Sequence, residues 1–273
     1  LLVAHEWGPV KVFMNENGRL VDRTAEAGLA DHAGWYNGIT GRDVDNDGDM
    51  DFVVSNVGLN TKYHASSGHP ALLYYGDFEG EGRKRLVEAE FEDEHLYPVR
   101  GKSCSEHAMP FVTKRFPSFH EFSVASLAEI YTPRCLEESQ RLVANTFETA
   151  LLINDGAGAF SIRPLPRLAQ ISPAYGAMLT DIDGDGWTDL YLGQNFHLSQ
   201  RETGRMDGGV SLLLTGDGKG FFEPVWPDRS GLLVPGDGTA VTGTDFNRDG
   251  RIDFVVAVND GPVRAFENSA GGP

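Results

Sequence analysis

A chain of 273 residues with 33 Gly, 14 Pro, 40% hydrophobic residues and a formal net charge of -17 can bury a large core, as one repeat-built domain or as two ordinary ones. The charge argues against nucleic acid as a partner, because nothing offsets the repulsion from phosphates. No apolar run approaches the ~20 residues needed to cross a bilayer, so no transmembrane segment is expected, and Cys104 and Cys135 are too few for a disulfide scaffold.

Position 1 is not Met and no basic-then-apolar leader opens the chain, so any signal peptide is expected to have been trimmed. The first segment, Leu1 to Asn15 (LLVAHEWGPVKVFMN), overlays 254–268 (FVVAVNDGPVRAFEN) with identities at Val3, Ala4, Gly8, Pro9, Val10, Phe13 and Asn15. The chain therefore reads as starting inside a repeat, with upstream copies missing. A strand is expected at Gly38-Ile39-Thr40, then the loop Asp43-Val-Asp-Asn-Asp-Gly-Asp-Met-Asp51, then the apolar triplet Phe52-Val53-Val54. The same order recurs at Gly176-Ala177-Met178, Asp181-Ile-Asp-Gly-Asp-Gly-Trp-Thr-Asp189 and Leu190-Tyr191-Leu192. A third loop, Asp245-Phe-Asn-Arg-Asp-Gly-Arg-Ile-Asp253, precedes Phe254-Val255-Val256. Each loop has oxygen side chains at positions 1, 3, 5 and 9, with Gly at 6. Asp77-Phe-Glu-Gly-Glu-Gly-Arg-Lys-Arg85 is a decayed fourth copy, with Arg85 where the closing Asp stands elsewhere.

Self-similarity of this kind signals a solenoid, propeller or array, and short β-branched runs with turn chemistry favour four-stranded propeller blades. The predicted fold is all-β: a partial β-propeller of about four to five blades, at roughly 1–30, 34–70, 71–165, 174–228 and 236–268. Within 174–228, strands are expected at 176–182, 189–193, 210–215 and 221–226. The 71–165 blade carries a helical insertion at about 92–148, where 119–130 and 136–146 have helix-like apolar spacing and Pro133 suits a first helical turn. About 50 residues bury little core alone, so the insertion reads as a helical excursion over one propeller face.

Calcium takes six to eight oxygen ligands in flexible geometry, which Asp side chains alternating around a Gly-permitted turn supply. The predicted ligands are Asp43, Asp45, Asp47 and Asp51; Asp181, Asp183, Asp185 and Asp189; and Asp245, Asn247, Asp249 and Asp253. At position 7, Asp49, Trp187 and Arg251 would give backbone carbonyls, leaving their side chains free to vary. No His or Cys lies in the loops, which disfavours zinc and copper. An EF-hand fails because position 12 is Val54, Leu192 or Val256 instead of a bidentate Glu, and because the flanks are β-branched. A single such loop could be only a tight turn. Three in register hold twelve acidic residues, whose like-charge repulsion would be severe without cations. About three Ca²⁺ are expected, moving the net charge from -17 to roughly -11. Extracellular modules of this kind bind calcium at roughly 10⁻⁴–10⁻³ M, which cytosolic calcium never saturates, so a secreted, periplasmic or cell-surface location is expected.

At these loops the chain resembles the FG-GAP/VCBS repeat family, whose propellers include the head of integrin α subunits. Gly34-Trp-Tyr-Asn-Gly38, Gly58-Leu-Asn-Thr-Lys-Tyr63, Tyr97-Pro-Val-Arg100 and Glu202-Thr-Gly-Arg205 further resemble bacterial VCBS proteins often joined to an ASPIC/UnbV domain; no such domain is visible here. The resemblance implies a calcium-bound propeller, usually of seven or so blades, acting in adhesion or ligand binding, and carries the calcium role onto the twelve side chains named above. It specifies the scaffold well and the ligand poorly.

Loops joining second to third strands would emerge opposite the metal loops, at 55–70, the insertion, 194–209 and 258–261. They carry Lys62, Tyr63, His64, Arg100, His197, Arg201, Glu202, Arg205 and Asp207, and a polar loop face on a rigid scaffold is where binding usually lives. Tyr63, His64, Arg100, His197 and Arg201 are the candidate ligand-binding residues, against the plainer reading of a solvated rim. The expected function is a noncatalytic calcium-binding module for extracellular or surface ligand binding or adhesion, with a protein or glycan partner. The alternatives are a propeller lyase or hydrolase acting on polysaccharide through Tyr63, His64, Arg100 or His197, and a purely structural segment of a larger surface protein. Cys104 and Cys135 read as a disulfide pinning the insertion or as free buried thiols; with His107 and His120 their spacing matches no zinc pattern.

Overall fold

In a computed structural model of the chain, which describes residues 1–200 and 203–269, strand outweighs helix by 39% to 13% and the class is all-β. The strands form six antiparallel sheets, and the chain divides into two compact units. One is Leu1–Lys62 with the chain from Phe147; the other is Tyr63–Thr146.

The first unit holds the blades of a partial propeller. Its N-terminal sheet joins Leu2–Val3, Lys11–Glu16 and Arg19–Asp22. The second joins Gly38–Arg42, Asp51–Ser55, Ala150–Asn154 and Phe160–Pro164. The third joins Ala174–Thr180, Asp189–Gln194, Leu212–Gly216 and Phe222–Val225, close to the four strands expected there. The fourth joins Asp237–Thr244, Asp253–Asn259 and Arg264–Phe266, and a small ribbon pairs Glu6–Pro9 with Ala33–Trp35. The second strands are continuous apolar runs because both faces are covered: Val53, Val54, Leu190, Tyr191 and Leu192 are all 0% exposed.

Two glycines explain how successive sheets stand beside one another. A Cβ on Gly38 would come within 2.7 Å of the Tyr175 carbonyl oxygen, and one on Gly176 within 2.8 Å of the Ala240 Cα. First strands of neighbouring sheets thus pass backbone to backbone, which no larger residue permits. The terminal overlay also holds in hydrogen-bond register. Leu2 pairs with Val12 and Val3 with Lys11, just as Val255 pairs with Ala265 and Val256 with Arg264.

The second unit corrects the expected blade boundaries. Residues 71–165 do not form a blade, because Asp51–Ser55 pairs with Ala150–Asn154 across the whole intervening segment. The strands Ala71–Gly76, Arg85–Glu92, His95–Pro98 and Gln140–Ala144 make a sheet of their own. Helices at Lys102–Ala108, Phe111–Arg115, Phe119–Val124, Leu127–Tyr131 and Pro133–Glu137 close over it, around Leu72, Val87, Val112, Phe122, Leu127 and Ile130. The inserted unit is therefore 63–146 with its own core, where a helical excursion at 92–148 was expected.

Local chemistry explains the helix boundaries. Ser118 with Glu121 and Ser126 with Glu129 are two complete capping boxes, so the expected 119–130 helix is two short ones. Pro133 opens the next helix as anticipated. Residues 140–144 are a strand instead of helix, since Leu142 and Val143 complete the edge beside Leu73 and Leu72. Cys104 and Cys135 are half-buried and not joined to each other, so no disulfide pins the unit.

Candidate metal centres

The three Asp loops connect first to second strands of their sheets, and each is shaped by its own carboxylates. At position 1, Asp43 accepts the Asn46 and Gly48 N–H groups at 2.7 and 3.1 Å. Asp181 accepts those of Gly184 and Gly186 at 2.8 and 3.0 Å, and Asp245 those of Asp249 and Gly250 at 3.1 and 2.9 Å. At position 9 the closing Asp is fully buried at Asp51, Asp189 and Asp253. Its Oδ2 accepts the position-2 N–H, from Val44, Ile182 and Phe246 at 2.8–3.0 Å. Its Oδ1 accepts an N–H from farther along the blade: Asn154, Gly216 and Asn268 at 2.8–2.9 Å. Position 9 is thus the stitch between loop and blade, over and above any metal role.

Positions 1, 3 and 5 converge. Asp43, Asp45 and Asp47 each place a carboxylate oxygen within 4.8 Å of the others, and so do Asp181, Asp183 and Asp185. The Asp45 Oδ1 is buried with no hydrogen-bond partner. Burial pushes the Asp45 carboxyl upward, and Asp51, Asp47 and Asp43 add to the rise. Burial also raises Asp51 and Asp189, against the backbone donors that lower them. Such an all-carboxylate set, with one oxygen lacking any donor, fits a hard cation. The two loops are also tied together: Thr188 donates to the Asp43 carbonyl at 3.1 Å, and Arg42 donates to Thr188 at 3.0 Å.

The third loop differs. The Arg251 guanidinium pairs with Asp249, Asn247 donates to the same carboxylate at 3.0 Å, and Asp249 is held below its ordinary pKa chiefly by the Arg251 backbone N–H. Arg251 was expected to be free to vary at position 7; instead its side chain occupies a ligand's carboxylate. The other position-7 side chains are also engaged. A Cβ on Gly156 would meet Asp49 Oδ2 at 2.5 Å, and one on Gly218 would meet the Trp187 ring at 2.4 Å. Those glycines belong to a second repeated device that the metal-loop alignment passes over. Asp155 Oδ1 accepts the Ala157 and Ala159 N–H groups, and Asp217 Oδ1 those of Lys219 and Phe221. The readable signal is Asp-Gly-x-Gly-x-Phe at 155–160 and 217–222.

The described members of the expected ligand-binding set are divided between the two units. Tyr63 is 3% exposed, with its hydroxyl pKa raised by burial and by Glu88, so it is a core residue of the inserted unit. Arg100 donates to Glu88 at 2.7 Å, and exposed His64 donates its backbone N–H to Glu90 at 3.1 Å. His197 belongs to the other unit, where its N–H meets Asp237 at 3.2 Å. Arg201 and Glu202 lie outside the described residues.

No family model matches the chain. Integrin alpha-3 of Mus musculus is similar to it, 26% identical over an alignment of 133 positions that covers 45% of this chain and 12% of the relative. The similarity is distant and suggests an FG-GAP/integrin-like relation over less than half of the chain. No helix among the described residues is long and apolar enough to cross a membrane.

Proposed function

We propose that this chain is a noncatalytic propeller module stapled by calcium, which presents its loops to a protein or glycan outside the cytoplasm. The observation that carries the calcium reading is the Asp45 Oδ1, buried without a donor among the Asp43 and Asp47 carboxylates. Like charges in that setting need a cation, and an all-oxygen set selects calcium over zinc or copper. Asp43, Asp45 and Asp47 hold one ion and Asp181, Asp183 and Asp185 a second, with the carbonyls of Asp49 and Trp187 as further ligands. Asp51, Asp189 and Asp253 lend charge while fixing the loops. The third loop, with Asp245, Asn247 and Asp249, fills last, because calcium must displace Arg251 from Asp249. The ion's role is charge neutralisation and rigidity. The extracytoplasmic location rests on the weak affinity class of such loops and on the integrin-like relation.

Calorimetric titration with calcium tests this. Two ions should bind more tightly than the third, Asp45→Asn should remove one, and Asp77→Ala should leave the count unchanged. A chain that binds no calcium at millimolar concentration refutes the reading. Protein and glycan arrays probed with calcium and with chelator test the binding role, and a partner captured equally in both would detach it from the metal.

A further inference from the structure

We propose that the inserted unit carries a second binding site, a basic pocket built on the decayed Asp loop, which takes an oxyanion borne on a ring: a sulfated or carboxylated sugar. This goes beyond the calcium reading, because no residue of the three metal loops lines the pocket.

The pocket has a volume of about 590 Å³, within the range of roughly 300–1,000 Å³ typical of small-ligand sites and far more than a lone oxyanion needs. Arg83, Arg85, Lys114 and Arg115 supply the charge, and the half-buried Phe111 ring an aromatic wall, held edge to face at 6.3 Å by the buried Tyr131 ring behind it. Glu79 and Glu81 are the only carboxylates in the lining. Four cations against two carboxylates leave a local excess of two positive charges, in a chain whose net charge is -17. None of the four cations forms an ion pair among the described residues. Arg115 donates to the Ile130 carbonyl at 3.4 Å, while the Arg85 Nε is buried with no acceptor.

The loop itself explains the inversion. Asp77 keeps the position-1 turn of the metal loops, accepting the Gly80 and Gly82 N–H groups at 2.8 and 2.7 Å. The closing position, a buried acceptor in the other three copies, is here a guanidinium with an open donor. Planar guanidinium forks match carboxylate and sulfate oxygens in pairs, so an external oxyanion takes the place that Asp51, Asp189 and Asp253 fill elsewhere. The aromatic wall then receives the ring that bears it.

The test is calorimetry on the whole chain, in calcium and in chelator, below both melting temperatures. The probes are a sulfated disaccharide, digalacturonate, their uncharged parents and inorganic sulfate. At least one charged sugar should bind one per chain, tenfold or more tighter than its parent and than inorganic sulfate, and equally in calcium and chelator. Arg85→Gln should weaken it at least tenfold. Lys114→Gln with Arg115→Gln, both on exposed side chains, should do the same with an unchanged melt, which keeps the test decisive if Arg85→Gln fails to fold. Parents binding as well as charged sugars, unchanged affinity in the surface double variant, or no binding of either charged sugar at millimolar concentration would overturn the site. Inorganic sulfate binding as tightly as the sugars would overturn the ring assignment, and loss in chelator with the fold intact would overturn its independence from metal.

Discussion

Positions 4 and 6 of the Asp loops lie in the left-handed region in all four copies. At position 4, φ is 62° at Asn46, 72° at Gly80, 81° at Gly184 and 64° at Arg248; at position 6 it is 78–95° at Gly48, Gly82, Gly186 and Gly250. Nothing lies within 4 Å of a Cβ on Gly48 or Gly186, so the cost of adding one is backbone strain alone. Gly48→Ala and Gly186→Ala should each destabilise by about 1–2 kcal/mol, read from thermal or denaturant melts. Arg248 bears that strain already, and Arg248→Gly should recover up to about 1 kcal/mol. At Asp45 the direction depends on calcium. Asp45→Asn removes one charge from the cluster, so the variant should melt above the parent in chelator and below it in calcium. A drop in both conditions would mean that repulsion among these carboxylates is not what calcium relieves.

At the scale of elements, the closing Asp residues decide which strands share a blade. Asp51 reaches across the inserted segment to Asn154, 103 residues on, because the same pair of backbone N–H groups is satisfied within each of the three blades. Asp189→Ala strands two of these donors in the interior and should cost on the order of 3 kcal/mol, in chelator as well as in calcium. A loss seen only in calcium would assign Asp189 to the metal alone. The inserted unit folds on its own core, so 63–146 is the natural excision. Replacing it with a short Gly/Ser linker should leave the calcium stoichiometry unchanged. Cutting at 100–146 instead removes the helices and the Gln140–Ala144 strand while leaving Leu72 and Val87 uncovered, and that variant should aggregate. Size-exclusion chromatography separates the two outcomes.

For the whole molecule, the net charge of -17 makes stability sensitive to cations. Each calcium site that binds only the native state adds about 2.7 kcal/mol at a hundredfold excess over its Kd. Melts in millimolar calcium and in chelator should therefore differ by many degrees, and identical melts would remove the staple. Alkaline pH tests the aromatic interior. Burial pushes Tyr36 up to about 12 and also raises Tyr74, Tyr131 and Tyr191. A raised folded pKa means that the neutral form is favoured in the fold. This stability is fully present below the ordinary tyrosine value of 10 and is lost as pH rises through 12. Tyrosinate absorbance should lag through that window and then rise together with loss of the native circular dichroism.

The repeat, the all-β class and the convergence of Asp43, Asp45 and Asp47 were legible in residue order, because a nine-residue loop brings its own side chains together whatever surrounds it. Arg85 as a break in the pattern was equally visible, since a guanidinium cannot do a carboxylate's work. The partner of Asp51–Ser55 was not legible: Ala71–Gly76 follows first in the chain and carries a metal-like hairpin, while the bond from the Asn154 N–H to the buried Asp51 carboxylate and the packing of Val54 with Ala150 and Leu152 join the strand to Ala150–Asn154. The engagement of Arg251 with Asp249, the burial of Tyr63 and the pocket around Arg85 were likewise decided by tertiary structure. Each depends on which distant groups crowd a side chain or leave it without an acceptor, and spacing along the chain does not record that.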